Sequence, residues 1–224
     1  MTHLALVTGA SRGIGAAVAR ALEPTHQLLL GGRDADALAS VAGQLPGARP
    51  WVVDLTDADA LAAAAAEITE LDVLVHSAGV AELGTVEEAA AEAWRKNFEV
   101  NVVAVVELTR LLLPALRAAK GHVVIINSGV GLNARPGWGP YAASKFAIRA
   151  FADVLRAEEE PHGIRVTSIF PGRTDTDMQQ SIEGASYDPK RYLRTDSVAA
   201  AVLAAVTASP DAHLTEIILR PRPW

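Results

Sequence analysis

The sequence predicts a doubly wound α/β fold, with a mostly parallel seven-stranded sheet and helices on both faces. Three observations predict it. Short runs rich in Val, Leu and Ile alternate with longer helical stretches along the chain, which is the pattern of strand–helix–strand units. The strand runs are almost continuously apolar, as in Val123-Val124-Ile125-Ile126, and a strand covered on both faces requires that. The third is size: 224 residues, half of them hydrophobic, can bury one substantial core.

The elements follow in order. Leu4–Thr8 reads as the first strand, and a glycine-rich turn leads into a helix over Arg12–Leu22. Gln27–Leu30 is the second strand, with a helix near Ala35–Gln44. Trp51–Val53 is the third strand, followed by a helix over Asp57–Thr69 whose alanines (Ala60–Ala66) are strong helix formers rather than low-complexity sequence. Asp72–His76 is the fourth strand. A long helical region runs from about Val86 to Ala118, with a break near Val100. Val123–Asn127 is the fifth strand, Tyr141–Glu159 a helix, Arg165–Ile169 the sixth strand and Glu216–Leu219 the seventh. Between the last two lie an irregular stretch, Arg173–Arg194, and a helix near Ser197–Ala208. No repeat or linker interrupts the series, so residues 1–224 are expected to form a single domain.

Composition removes several functions. Aromatic residues make up only 5% of the chain, so Ala, Val, Leu and Ile must build the core. The net charge is −6 with both signs dispersed, and no basic block offers a nucleic-acid surface. The absence of cysteine excludes disulfides, thiol catalysis and cysteine-bound metal, and the six histidines are scattered without metal-ligand spacing. Met1-Thr2-His3-Leu4 lacks the basic start of a signal peptide. Asn101, Glu107 and Arg110 interrupt the longest apolar runs, so none reads as a membrane span. A cytoplasmic protein without a membrane or nucleic-acid partner is expected.

The turn after the first strand reads Thr8-Gly9-Ala10-Ser11-Arg12-Gly13-Ile14-Gly15. Glycines between a strand and a helix allow a tight turn and a close backbone approach to a pyrophosphate. The helix N-terminus adds unpaired N–H groups and a favourable dipole. Here the chain resembles the classical short-chain dehydrogenase/reductase family, whose loop has this spacing of Thr8, Gly9, Gly13 and Gly15. The resemblance extends over almost the whole chain and implies a Rossmann-like fold binding NAD(P). It further implies a cofactor half over about 1–120, a catalytic half over about 121–224, and a substrate loop near 177–194.

Tyr141 and Lys145 are four residues apart on a helix and share a face. The chain has three tyrosines and four lysines; neither Tyr187 nor Tyr192 has a lysine four places on. An ammonium beside a phenol stabilises the phenolate, so Tyr141 could exchange a proton with a substrate oxygen as hydride moves at carbon. Ser128 ends the fifth strand, where ligands sit in open α/β sheets, and could hold that oxygen. Asn101 sits between valines inside a helical run and competes for backbone hydrogen bonds. The resemblance gives the matching asparagine a water relay to the lysine, and a side-chain-stabilised kink is an equally open reading. Asn101, Ser128, Tyr141 and Lys145 are thus the expected catalytic group.

The resemblance also implies the cofactor contacts. Gly9, Ser11, Arg12, Gly13, Ile14 and Gly15 form the loop, Asp54 and Leu55 meet the adenine, and Ser77, Ala78 and Gly79 lie under the cofactor. Pro171, Gly172, Thr174 and Thr176 hold the nicotinamide carboxamide, with Tyr141 and Lys145 beside it. One departure is His76-Ser77 where the family has Asn-Asn, which leaves the bracing of the central sheet open; His76 reads as a satisfied buried histidine. The second strand ends Leu30-Gly31-Gly32 without the carboxylate that grips an NAD ribose, and Arg33 follows. With Arg12 it supplies two guanidiniums suited to a 2′-phosphate, so NADP(H) is expected over NAD(H).

No lysine-bearing phosphate loop or nucleophile elbow is present. The expected activity is hydride transfer between NADP(H) and a small-molecule carbonyl or alcohol. The alternative is a non-catalytic NADP-binding regulatory module on the same fold; a sugar-nucleotide epimerase or dehydratase is disfavoured by the short chain and the glycine spacing. Val80–Leu83, Gly129–Trp138 and Asp177–Tyr192 are expected to line the substrate pocket, with Arg135 or Arg173 able to pair with a carboxylate. Glu216–Pro221 resembles a subgroup acting on small β-hydroxy acids and serine-like alcohols. Val102–Leu116 is apolar almost all round, and Phe146 and Ala150 share a stripe on the following helix. Such helices need a partner, so a homodimer or homotetramer is expected.

Overall fold

The computed structural model describes residues 3–222; Met1 and Thr2, at the start read for a leader, lie outside the described residues. Seven strands form one sheet in the order β3-β2-β1-β4-β5-β6-β7, and every neighbouring pair is parallel. They are β1 (His3–Thr8), β2 (His26–Gly32), β3 (Ala48–Val52), β4 (Val73–His76), β5 (His122–Ile126), β6 (Arg165–Pro171) and β7 (Glu216–Leu219). The order runs outward from β1 in one direction and from β4 in the other. The crevice between their C-terminal ends is the place where such sheets bind ligands.

Alternation along each strand sorts the core into two layers. On one face Ala5, Val7, Leu28, Leu30 and Val124 pack against α1 (Gly13–Leu22) and α8 (Thr195–Val206). On the other, Leu6, Leu29, Val123 and Ile125 pack against α3 (Ala58–Ala66), α5 (Ala104–Ala119) and α6 (Gly139–Glu159). Asp34 and Asp57 accept from the amides of Ala37 and Ala60, each at 3.0 Å, which fixes the starts of α2 (Ala35–Ala42) and α3. Buried Glu159 takes a bidentate bond from Arg117 at 2.8 and 2.6 Å, tying α5 to the end of α6.

Three segments differ from the sequence reading. The third strand begins at Ala48, earlier than Trp51, and includes Pro50; it lies on the sheet edge, where a missing N–H is tolerated. The long helical region starts only at Ala91. Before it, the Thr85 hydroxyl accepts from the Glu88 amide at 3.2 Å and donates to its carboxylate at 2.9 Å, forming a local turn. Helix α4 (Ala91–Phe98) then passes through a π-helical turn, Glu99–Val103, into α5, placing the expected break around Asn101. The stretch read as irregular contains a helix, α7 (Asp177–Glu183), which Thr176 caps by accepting from the Gln179 amide at 3.2 Å.

Candidate active site

The β1–α1 loop is shaped by its glycines. Gly9 has φ +66°, and a Cβ there would lie 2.9 Å from the Ala78 backbone; a Cβ on Gly15 would fall 2.2 Å from the Gly9 carbonyl oxygen. Thr8 joins this loop to the end of β4. Its hydroxyl accepts from the amides of Ser77 (3.0 Å) and Ala78 (3.1 Å) and donates to the Val75 carbonyl (3.3 Å). Helices α2 and α3 close their first turns with an aspartate. Helix α1 instead begins after Arg12, which makes no side-chain cap, and its first turn carries no acid. Its leading N–H groups therefore face a cradle suited to an anion.

Beyond β5, Asn127 bolts strand to helix: its Nδ2 donates to the Lys145 carbonyl at 3.1 Å, while its Oδ1 accepts from the Ser128 amide at 2.8 Å. This sets Ser128 against Tyr141 on α6. Burial pushes the Tyr141 phenol up, and its hydrogen bond with Ser128 opposes that shift. The Lys145 ammonium is buried, donates to the Ile126 carbonyl at 3.1 Å and lies 5.7 Å from the centre of the Tyr141 ring. Burial lowers its pKa to about 8. Lys145 thus stands near the Tyr141 ring as expected, but burial sets the phenol, and what opposes burial is the Ser128 hydrogen bond rather than the ammonium.

Asn101 occupies the π-helical turn. Its Nδ2 donates to the Val80 carbonyl (2.9 Å) and to the Ser144 hydroxyl (3.0 Å), and its Oδ1 accepts from the Val80 amide (2.9 Å). A Cβ on Gly79 would sit 3.1 Å from that Oδ1 and 4.0 Å from the Lys145 Nζ. Asn101, Gly79 and Lys145 therefore share one buried cluster behind Tyr141.

Ser128 and Tyr141 line a cavity of about 120 Å³ with Ile14 of the glycine loop, Pro171, Thr176 and Met178. Residues far apart in sequence, Ser128, Tyr141, Ile14 and the segment after β6 (with Gly172 and Thr174 in the wall), thereby meet. Gly129 and Trp138 line the cavity as expected. Val80–Leu83 does not line it: Ala81 and Leu83 pack against Val130 and Tyr141. Arg12 and Arg33 lie in separate exposed ion pairs, Arg12 with Asp177 and Arg33 with Asp54, each at 3.6 Å. The Asp54 carboxylate also accepts from the Thr56 amide (3.0 Å) and hydroxyl (2.8 Å), which hold its pKa low with help from Arg33. Leu55 packs beside it on the α3 side of the core.

His76 is only half satisfied. Its Nε2 meets the Thr109 hydroxyl at 2.9 Å, while its buried Nδ1 has no partner. Thr8 of the glycine loop ties β1 to the Ser77 and Ala78 amides after β4. Sequence reasoning named Thr8 only as part of the loop spacing and passed over Asn127 and Asn97, the latter four residues before Asn101 and donating through its Nδ2 to the Glu82 and Ala93 carbonyls at 3.0 and 2.8 Å. The available signal was a polar residue at a strand end or between apolar helical neighbours.

The crevice at the strand ends, its glycine cradle and the Ser–Tyr–Lys arrangement define a dinucleotide-dependent oxidoreductase fold. The chain belongs to the short chain dehydrogenase family, whose model matches residues 3–186. It is 36% identical over 222 residues to dehydrogenase/reductase SDR family member 7B of Bos taurus, covering 92% of this chain and 68% of that protein. It is also 36% identical to glycine betaine reductase of Emericella nidulans over 98% of this chain, and spans 19% of that longer protein. Among solved structures it resembles the alcohol dehydrogenase of Thermococcus sibiricus complexed with 5-hydroxy-NADP, with TM-score 0.92 and 29% identity, covering 100% of this chain and 98% of that one. A short chain dehydrogenase from Escherichia coli CFT073 complexed with NADPH superposes with TM-score 0.90 at 29% identity, covering 98% and 97%.

Proposed function

We propose that this protein is an NADP(H)-dependent oxidoreductase that interconverts a carbonyl and an alcohol at the Ser128–Tyr141 cavity. The observation that carries the reading is the meeting of Ser128, Tyr141 and the glycine-loop residue Ile14 around one cavity, with Lys145 buried behind. A complete Asn101, Ser128, Tyr141 and Lys145 group supports an enzyme over a non-catalytic binding module.

The cradle fits a dinucleotide. Gly9 and Gly15 leave no room for a Cβ where a pyrophosphate would approach, Gly13 takes φ +56°, and Ser11, Arg12, Ile14 and the uncapped start of α1 complete it. Asp54 and Leu55 would meet the adenine, Ser77, Ala78 and Gly79 the ribose side, and Pro171, Gly172, Thr174 and Thr176 the carboxamide. Exposed ion pairs contribute little, so Arg12 and Arg33 are free to turn from Asp177 and Asp54 to a 2′-phosphate. The NADP and NADPH complexes of the similar structures support that choice.

When bound, the cofactor supplies or accepts hydride. Ser128 holds the substrate oxygen, and Tyr141 gives or takes its proton. Lys145 holds positive charge beside the phenol and would bind the nicotinamide ribose. Asn101 keeps the π-helical turn open beside Lys145, where a water could resupply protons. The chain works as one domain, since both halves contribute strands to the sheet and residues to the site. It pairs with a second copy through the face made by α6 and the π-helical turn before α5, which expose Phe146, Val154 and Val103. Following NADPH absorbance with a panel of aldehydes, ketones and hydroxy acids tests the activity. Turnover of at least one is expected, and no turnover of any member would count against it.

A further inference from the structure

A second, larger cavity adjoins the first. It has a volume of about 370 Å³ and shares Gly129, Arg135, Gly172 and Arg173 with the Ser128–Tyr141 cavity. Its wall holds four arginines, Arg135, Arg173, Arg191 and Arg220, and no aspartate or glutamate. They come from separate segments: the loop after β5, the turn after β6, the stretch beyond α7 and the end of β7. Arg173 pairs with Glu183 at 3.4 Å; Arg135, Arg191 and Arg220 make no ion pair among the described residues. Between the arginines lie Leu132, Ile218 and Pro221, with Asn133 as the one uncharged polar side chain in the wall.

Arg135, Arg191 and Arg220 are exposed, so water screens their repulsion, and three of the four guanidiniums are left without a carboxylate partner among the described residues. In a chain of net charge −6 this gathering is local and not a general basic character. Guanidiniums match carboxylates and phosphates through paired N–H groups. The second cavity adjoins the reacting centre and, at about 370 Å³, has room for a short chain and a head group.

We infer that the second cavity is an anion subsite, and that the substrate is a carbonyl compound whose non-reacting end carries a carboxylate or phosphate. The inference rests on the reading of Ser128 and Tyr141 as the reacting centre. The overall negative charge repels anionic substrates at long range, so a preference for them must arise in this cavity.

The test compares matched substrates at fixed ionic strength, by kcat/KM with NADPH. One arm sets laevulinate and its longer linear homologues against their methyl esters. The other sets dihydroxyacetone phosphate against dihydroxyacetone. The charged member of at least one arm is expected to be preferred by roughly tenfold or more, and the preferred arm identifies the anion. Arg191→Gln and Arg220→Gln should each lower that preference roughly three- to tenfold, with KM carrying most of the change. No preference in either arm, or a preference untouched in both variants, overturns the anion subsite. Retained turnover in Tyr141→Phe would instead overturn the reading beneath it, whatever the substrate preference.

Discussion

The Lys145 ammonium lies 5.7 Å from the centre of the Tyr141 ring and donates to the Ile126 carbonyl at 3.1 Å, inside the protein. The proposed role of Lys145 beside the phenol would have to act through space, and only while the ammonium keeps its proton. Burial lowers that group to about 8 and pushes the phenol up. Lys145 is thus charged below about pH 8 and neutral above it, while Tyr141 remains a protonated acid in this range. Carbonyl reduction is expected to fall as pH rises through about 8. A kcat/KM profile for reduction at saturating NADPH checks this, and a profile flat through that region would separate Lys145 from the chemistry.

Arg12 and Arg33 each hold an exposed carboxylate at 3.6 Å in place of a phosphate. Exchanging a weak surface pair for a doubly charged phosphate favours NADPH. Arg33→Ala and Arg12→Ala are each expected to weaken NADPH binding roughly ten- to a hundredfold and to leave NADH binding nearly unchanged. Titrations of both cofactors at fixed salt decide it; equal wild-type affinity for the two would contradict the assignment.

His76 and His122 are buried and held to about 3 from an ordinary 6.5. Both are neutral in the fold, whereas the unfolded chain protonates them below about 6.5. The unfolded state then binds more protons, so stability falls with pH from there down towards about 3, by about 1.4 kcal/mol per pH unit for each histidine. His76→Asn is expected to remove one of the two contributions. Urea denaturation at a series of pH values measures it, and an unchanged acid slope in the variant would show that His76 does not contribute.

Phe146 and Val154 are 42% and 53% exposed on α6, about two turns apart on one face that a second copy would cover. With Val103 of the neighbouring π-helical turn, they form the proposed dimer face. Light scattering at micromolar protein should give at least twice the chain mass, and Phe146→Glu with Val154→Glu should shift it towards a monomer. A monomeric wild type would refute the pairing.

Much of this was legible in the sequence because the signals were local. Continuous apolar runs marked the strands, and fixed spacings marked the glycine loop and the Tyr141–Lys145 pair. Less legible was whatever depends on contacts across the fold. The short helix α7 is polar and has no apolar period, so its start is visible only through the Thr176 cap. Thr8 stood in the loop spacing, but its bridge from β1 to β4, like that of Asn127 from β5 to α6, appears only in the folded chain. The arginines of the second cavity come from four segments and become a cluster only when the sheet is assembled.

The central claim is that the Tyr141 hydroxyl moves the proton, and Tyr141→Phe tests it most directly. The ring is kept and only the hydroxyl is lost, so packing among Val130, Ala142 and Trp138 is preserved. Steady-state reduction of a responsive substrate should fall by ~10²–10⁴-fold, while NADPH titration gives a Kd close to that of the wild type. Turnover at the wild-type rate in a folded, NADPH-binding Tyr141→Phe variant would contradict the account.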